Sequence, residues 1–365
     1  MHISRLAVSQ LRRFTAVEIA PQPGINLITG DNGAGKSSLL EALHLMAYGR
    51  SFRGRVRDGL IQTGADALNV FVEWAETQAG GHQAARRAGM RHAGQDWTGR
   101  LDGEDVRQLG NLCAALAVVT FEPGSHVLIS GGSEPRRRFM DWGLFHVEPD
   151  FMGLWRRYSR ALKQRNALLK SGASASGLDA WDRELAEAGT PLTNRRQIYL
   201  ERLQNEARDV AMAVAPGLGL TDLEFSPGWR RGELSLADAL LVARDRDRIN
   251  GFTSVGPHRA DWTVRFSQIP GREALSRGQA KLTALACLLA QARDYADQRQ
   301  DWPVIALDDL ASELDRTHQR RVLDWLAQSP AQVFITATEL PAALVDSPLP
   351  VTRFHVEHGD VNRPN

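Results

Sequence analysis

The chain has 365 residues, of which 24% are charged and 43% are hydrophobic. These proportions are ordinary for a folded protein and exclude a disordered or collagen-like chain. The 44 lysines and arginines nearly balance the 43 acids, so a nucleic-acid site can only be a local basic patch. Two cysteines are too few for a disulfide framework or a zinc site. Because the sequence shows neither a secretory signal nor an apolar run of roughly 20 residues, we expect a cytoplasmic protein without a membrane span.

The first part of the chain alternates between strand patterns and one strong helix pattern. A Gly-rich segment joins the apolar run at 25–29 to a helix predicted over 36–47, which has its leucines on one face. Residues 75–110 are polar and rich in glycine, a composition that favours hairpins. Strands are predicted at 2–8, 25–29, 70–74 and 114–120.

The middle of the chain is predominantly helical. Ser133 is a candidate N-cap, because an acid and a proline follow it in the first turn. Apolar side chains between 151 and 169 recur at helical spacing. Further helices are predicted at 181–188, 192–214 and 236–248, the last with Ser235 as its N-cap.

Strand patterns return towards the end of the chain, at 262–266, 304–307, 333–336 and 353–356, with helices at 278–296 and 315–327. This order predicts an α/β unit that is interrupted by a helical insertion. We expect residues 1–125 and 251–365 to form the two halves of the α/β unit, and residues 126–250 to form the helical lobe.

A phosphate-binding loop is the strongest motif. Residues 30–37 match G-x-x-x-x-G-K-[ST], between an apolar strand and an amphipathic helix. Glycines let backbone N–H groups turn towards phosphates, and the helix N-terminus adds positive potential. We expect Lys36 to reach the terminal phosphates and the Ser37 hydroxyl to ligate Mg²⁺. The predicted nucleotide-binding segment is Gly30, Asp31, Asn32, Gly33, Ala34, Gly35, Lys36, Ser37 and Ser38.

Two carboxylates follow the apolar strand at 304–307. In a protein with a phosphate-binding loop, Asp308 is the expected second holder of Mg²⁺. Asp309 is then placed to polarise the attacking water. We therefore expect Lys36, Asp308 and Asp309 to be the catalytic residues.

A third motif opens the helix predicted at 278–296. Ser276 and the backbone of Gly278 stand at the N-terminus of this helix, with Gln279 next, and form a second anion site. The pattern is short and common at the start of helices. It indicates a functional site here because it lies about thirty residues before the acidic strand end.

In this order the motifs resemble those of the ABC-type ATPases: a Walker A loop, a signature, a Walker B strand and a D-loop. The resemblance implies that two copies face each other, with ATP on one copy capped by the signature of the other.

Transporter subunits usually carry a histidine where Ala337 stands here. The chromosome-structural and break-repair branches carry long coiled coils, whereas this chain shows no sustained heptads.

Nearly the whole chain resembles the RecF family of bacterial recombination and replication-repair ATPases. Blocks that carry the resemblance are Leu11-Arg12-Arg13-Phe14, Leu40-Glu41-Ala42, Gly49-Arg50-Ser51-Phe52-Arg53, Arg136-Arg137-Arg138-Phe139 and Gly256-Pro257-His258-Arg259. The implied fold is an ABC-type head with an inserted α-helical lobe and no long coiled coil. The implied activity is binding of ATP and DNA, ATP-dependent dimerisation and weak, DNA-stimulated hydrolysis. The implied partners are RecR and RecO. With them, the protein would load RecA at single-strand gaps and so induce the SOS response.

The resemblance also assigns roles to two residues outside the motifs. Arg12 is the implied nucleotide contact, and Gln62 the implied Q-loop ligand of the metal ion. Asp309 stands where many ABC ATPases have glutamate, and its shorter side chain predicts slow turnover.

The alternative functions are those of an ATP-binding subunit of a transporter and of a compact partner of a break-repair nuclease.

Basic residues concentrate in two segments that are candidates for DNA binding. Those at 150–170 are accompanied by a single acid, Asp150, and four of them share one helical face. A second cluster follows the helix of the phosphate-binding loop. The candidate DNA contacts are Arg156, Arg160, Lys163 and Lys170 in the first segment, and Arg53 and Arg55 in the second.

Overall fold

The computed structural model describes residues 1–53, 59–77, 81–94, 96–172, 175–345 and 350–363. Its strands are β1 (His2–Leu11), β2 (Phe14–Ile19), β3 (Ile25–Thr29), β4 (Leu68–Thr77), β5 (Gln83–Ala93), β6 (Asp96–Leu101), β7 (Glu104–Val106), β8 (Val118–Phe121), β9 (Leu220–Ser226), β10 (Asp261–Phe266), β11 (Val304–Leu307), β12 (Val333–Thr336), β13 (Val351–Glu357) and β14 (Asp360–Asn362). Its helices are α1 (Lys36–Tyr48), α2 (Leu109–Ala115), α3 (Val127–Ser130), α4 (Ser133–Val147), α5 (Phe151–Lys170), α6 (Ala175–Val214), α7 (Leu236–Asn250), α8 (Arg277–Arg299), α9 (Leu310–Glu313), α10 (Arg316–Leu326) and α11 (Ala342–Val345).

The chain divides into two compact units. The first comprises residues 1–125, 210–217 and 281–365, and the second residues 126–209 and 218–280. The first boundary coincides with the end of the expected N-terminal half, whereas residues 251–280 lie in the second unit and not with the C-terminal half.

The first unit is built on two six-stranded sheets. One has the order β14-β13-β3-β12-β11-β8, and its five strands from β13 to β8 run parallel. Its central strands are buried on both faces and mostly apolar, as is typical of parallel strands that lie between two layers. The other sheet is antiparallel, in the order β2-β1-β4-β5-β6-β7. Because β3, β8, β11 and β12 are parallel neighbours, the residues that follow them meet at one edge of the sheet.

The second unit is mainly helical, with a small antiparallel sheet of β9 and β10. Ser235 caps α7 as expected, its hydroxyl accepting a hydrogen bond of 3.1 Å from the N–H of Asp238. The expected N-cap at Ser133 is wrong: Gly132 occupies that position, and Ser133 is the first residue of α4. The Ser133 hydroxyl instead accepts a hydrogen bond of 2.6 Å from Arg137.

Helix α6 is the largest departure from the sequence expectation. The two helices predicted at 181–188 and 192–214 form one helix, which continues through Pro191. Proline removes one backbone hydrogen bond and normally ends a helix. Here Leu185, Ala188 and Leu192 are all almost completely buried on either side of it. Packing of this face therefore outweighs the local preference for a break.

The strand predicted at 114–120 is also partly wrong. Helix α2 ends at Ala115, and only Val118–Phe121 forms a strand, β8. The apolar run 114–120 contains both elements, and a short apolar run does not distinguish a buried helix from a buried strand. Among the described residues, no helix is both long enough and apolar enough to cross a bilayer.

Candidate nucleotide site

The phosphate-binding loop connects β3 to α1 in the first unit. Its glycines have conformations that side chains would prevent: Gly35 has φ 121°. A Cβ on Gly30 would lie 2.2 Å from the carbonyl oxygen of Val356. The Lys36 ammonium donates hydrogen bonds to the carbonyls of Gly30 (2.6 Å) and Asp31 (2.9 Å). These two carbonyl oxygens hold the ammonium group against the loop. The oxygens of a bound phosphate could replace them as its hydrogen-bond partners.

The acidic end of β11 lies beside this loop. Asp308 is buried, and burial raises the pKa of its carboxyl group, although hydrogen bonds from Ser37 and Thr336 act in the opposite direction. Ser37 and Asp308, the two residues that would hold Mg²⁺, thus lie close together in the lining of one cleft. Burial lowers the pKa of Lys36, and the nearby carboxylates of Asp309 and Asp308 oppose this shift.

A cleft of about 530 Å³ contains most of the predicted site, and we call it the P-loop cleft. It is formed by the first unit alone. Its lining consists of Arg12, Arg13, Asn32, Gly33, Gly35, Lys36, Ser37, Ser38, Phe52, Arg53, Glu122, Pro123, Asp308, Asp309 and Thr336. A glycine-lined cleft that carries a lysine, a hydroxyl and several carboxylates, of which Asp308 is buried, fits a nucleoside triphosphate with a divalent cation.

Two predicted residues lie elsewhere than expected. Gln62 is not among the described residues that line the cleft; its side-chain amide donates to the Thr15 hydroxyl at 3.1 Å. Arg53, which the sequence placed in a DNA-binding cluster, lines the P-loop cleft, and its positive charge opposes the rise in the pKa of Asp308 that burial causes. Arg55 lies outside the described residues.

The predicted signature belongs to the second unit, where it opens α8. Ser276 and Gln279 form a reciprocal capping box. The Ser276 hydroxyl accepts a hydrogen bond of 3.2 Å from the N–H of Gln279, whose side-chain oxygen accepts one of 2.9 Å from the Ser276 N–H. Ser276 and Gly278 are both exposed, so their polar groups are accessible from outside the chain.

The predicted DNA-binding face also belongs to the second unit. Arg156, Arg160, Lys163 and Lys170 are all exposed on α5. Arg165, in the same basic run, is instead completely buried. It donates to Asp182 at 2.5 Å and to Asp247 at 2.7 Å. The basic run thus contains both a solvated face and a buried ion-pair network.

The cleft is also lined by Glu122 and Thr336, neither of which stands in a motif of the sequence. Glu122 follows β8, and burial raises the pKa of its carboxyl group, opposed by a hydrogen bond from the Gly124 N–H. Thr336 ends β12 and binds Asp308. Both residues could have been suspected because each is a polar residue at the end of an apolar strand. To place them in the cleft, one must also know which strands are neighbours in the sheet, and the sequence does not show this.

Known proteins match this chain over almost its whole length. The family model of the RecF/RecN/SMC N terminal domain matches residues 2–346. The DNA replication and repair protein RecF of Stenotrophomonas maltophilia (strain R551-3) is 72% identical over 361 residues, covering 99% of each chain. The protein of the same name from Shewanella amazonensis (strain ATCC BAA-1098 / SB2B) is 38% identical, covering 100% of this chain and 99% of its own.

Solved structures give the same result. The recombination mediator protein RecF with ATP, of the RecFOR pathway, matches with a TM-score of 0.86 at 25% identity, covering 100% of this chain and 99% of that one. An Smc head domain derived from Pyrococcus furiosus matches with a TM-score of 0.58 at 16% identity, covering 99% and 95%, and supports the fold alone. The expected fold, an ABC-type ATPase head, is confirmed, and the part of the chain that the structure describes contains no long coiled coil. The chain belongs to the RecF family of DNA replication and repair proteins.

Proposed function

We propose that this protein binds ATP in the P-loop cleft, that ATP makes two copies dimerise, and that the dimer binds DNA during recombinational repair. The observation that carries the proposal is the cleft itself. It places Lys36 and Ser37 of the phosphate-binding loop beside Asp308 and Asp309 of the acidic strand end. Mg²⁺, held by Ser37 and Asp308, would supply positive charge to the phosphates.

Dimerisation by ATP is supported by the signature. The P-loop cleft is lined by the first unit, and Ser276 and Gly278 are exposed at the start of α8. A helix N-terminus offers N–H groups and positive potential to an anion. If a second copy presents this helix to the γ-phosphate, ATP stabilises only the closed pair, because the phosphate binds both copies at once. Hydrolysis is then a means of release. The short side chain of Asp309 predicts that hydrolysis is slow, and the family resemblance implies that DNA stimulates it.

DNA binding is supported by the exposed basic face of α5. Its four predicted contacts, Arg156, Arg160, Lys163 and Lys170, can neutralise backbone phosphates without reading bases. We therefore expect affinity for gapped, single-stranded or double-stranded DNA without sequence preference. Arg53 lines the P-loop cleft, and we assign it to the nucleotide site rather than to DNA.

The proposed setting follows from the family. The structural relative is called a recombination mediator of the RecFOR pathway. We propose that this chain is cytoplasmic and works with RecR and RecO to load RecA at single-strand gaps, which leads to SOS induction.

A DNA titration tests the proposal. Fluorescently labelled gapped duplex is titrated with the protein at two salt concentrations, with ATP, with ADP and without nucleotide. We expect tighter binding with ATP and a steep loss of affinity at the higher salt, because counterions are released from DNA. Equal affinity under all three nucleotide conditions, or an almost flat salt response, would contradict the proposal.

A further inference from the structure

A carboxylate that does not line the P-loop cleft is completely buried beside it. Glu41 lies on α1, one turn after the phosphate-binding loop, and is 0% exposed. Burial of a carboxylate is strongly unfavourable unless partners neutralise and hydrogen-bond it. The partners of Glu41 come from two other segments of the chain, and both segments reach the cleft.

The first partner is Arg12, in the turn between β1 and β2. Its Nε and Nη2 donate to the two oxygens of Glu41 at 3.0 and 2.8 Å, a bidentate pair. Arg12 has a φ of 54°, which costs a residue with a side chain about 1 kcal/mol. Its N–H also donates to the Leu60 carbonyl at 2.9 Å. The pair with Glu41 therefore fixes an unfavourable turn whose arginine lines the cleft.

The second partner is Ser51, which follows the end of α1. Its hydroxyl donates a short hydrogen bond to Glu41, and it accepts one of 2.9 Å from the N–H of Arg53. Ser51 is almost completely buried, and its hydroxyl holds the segment 51–53 in place both as a hydrogen-bond donor and as an acceptor. The next two side chains, Phe52 and Arg53, line the P-loop cleft.

We propose that Glu41 is a positioning residue of the nucleotide site. It does not line the cleft, but its carboxylate ties Arg12 and the segment 51–53 to α1, and so fixes two arginines relative to Lys36. The inference rests on the proposed function, since it assumes that the cleft takes ATP. It also gives a physical role to the blocks Leu40-Glu41-Ala42 and Gly49-Arg50-Ser51-Phe52-Arg53.

The test measures ATP affinity by isothermal titration and thermal stability for the full chain. Glu41→Gln keeps the shape of the side chain but faces Arg12 with an amide, and we expect ATP binding about tenfold weaker. Ser51→Ala removes one hydroxyl and no charge, and we expect ATP binding about threefold weaker, together with a lower Tm because a Glu41 oxygen and the Arg53 N–H lose their partner. Glu76→Gln is the control, because Glu76 pairs with Arg86 at 2.7 Å in the same unit, outside the cleft lining.

A double-mutant cycle separates positioning from stability. Arg53→Ala should weaken ATP binding in the wild-type background and do so clearly less in the Ser51→Ala background, where the segment is already released. If Glu41→Gln and Ser51→Ala lower only Tm and bind ATP like the wild type, or if the Arg53→Ala effect is equal in both backgrounds, the inference is wrong. A wild-type chain that does not bind ATP would instead refute the proposed function, and the inference with it.

Discussion

Thr336 and Asp308 are joined by a buried hydrogen bond of 2.7 Å, donated by the threonine hydroxyl to the carboxylate. The same hydroxyl accepts a hydrogen bond of 2.8 Å from the N–H of Asp309, whose φ is 56°. One side chain at the end of β12 thus orients both acids that follow β11. The arrangement depends on the two strands being parallel neighbours.

Replacement of Thr336 tests this arrangement. Thr336→Val keeps the shape but leaves an oxygen of Asp308 and the N–H of Asp309 without their partner, so we expect the free energy of unfolding to fall by about 1–3 kcal/mol. Thr336→Ser keeps the hydroxyl and removes a methyl group, and it should lose less. Urea unfolding measures both values. Equal losses would show that the hydroxyl does not contribute.

Arg165 is expected to be essential for the stability of the second unit. Arg165→Met leaves the buried carboxylates of Asp182 and Asp247 without their shared cation, which should cost about 3–5 kcal/mol in urea unfolding. Arg157→Met is the control on the same helix, because Arg157 is itself exposed and the loss of its ion pairs should have little effect. Similar effects of the two substitutions would contradict this account of the network.

Stability should decrease as the pH falls from 6.5 to 4. Burial lowers the pKa of His258 from 6.5 to about 4, so in this window the unfolded chain binds a proton that the folded chain does not. His44, with its pKa lowered to about 3, contributes with the same sign. At a pH where His258 is fully protonated in the unfolded chain but not in the folded chain, this residue should lower the free energy of unfolding by about 3 kcal/mol.

His258→Gln isolates this contribution. Urea unfolding of the wild type and the variant at several pH values should give two curves that converge as the pH falls through the window. The other titrating groups are common to both proteins and cancel in the difference. Curves that remain parallel would show that His258 does not titrate as its burial predicts.

The exposed face of α5 should control the salt dependence of DNA binding. Arg160→Gln with Lys163→Gln should weaken binding to all sequences alike and reduce the slope of log affinity against log salt by about 0.9 for each DNA phosphate that the variant no longer neutralises. Arg157→Gln serves as the control, because that guanidinium already binds Glu184 and Glu187 at 2.6 Å. An unchanged slope in the double variant, or the same change in the control, would place the DNA elsewhere.

The sequence predicted the elements of the site well where local chemistry determines them. The strands at 25–29, 304–307 and 333–336 are confirmed at both ends, because short and mostly apolar runs of four or five residues are typical of buried strands. The phosphate-binding loop could be located because its glycines and lysine are adjacent in sequence. These features need no knowledge of which strands are neighbours.

The sequence could not predict what depends on distant contacts. Glu41 looks like an ordinary polar residue in a helix until the fold brings Arg12 and Ser51 to it. Arg53 was grouped with basic neighbours, although its position is set by a hydrogen bond to Ser51. Helix α6 continues through Pro191 because of packing against other segments, which no local signal reports.

Oligomeric state is the most direct test of the central claim, that ATP joins two copies. Light scattering after size exclusion is measured with ATP and Mg²⁺, with ADP and Mg²⁺, and without nucleotide, for the wild type, Lys36→Ala and Arg5→Ala. Arg5 pairs with Glu18 in the first unit and does not line the cleft, so it serves as the control. We predict a dimer only with ATP for the wild type and Arg5→Ala, and a single unchanged state for Lys36→Ala. A wild-type chain whose mass is the same under all three conditions, or a Lys36→Ala variant that dimerises with ATP like the wild type, would contradict the account.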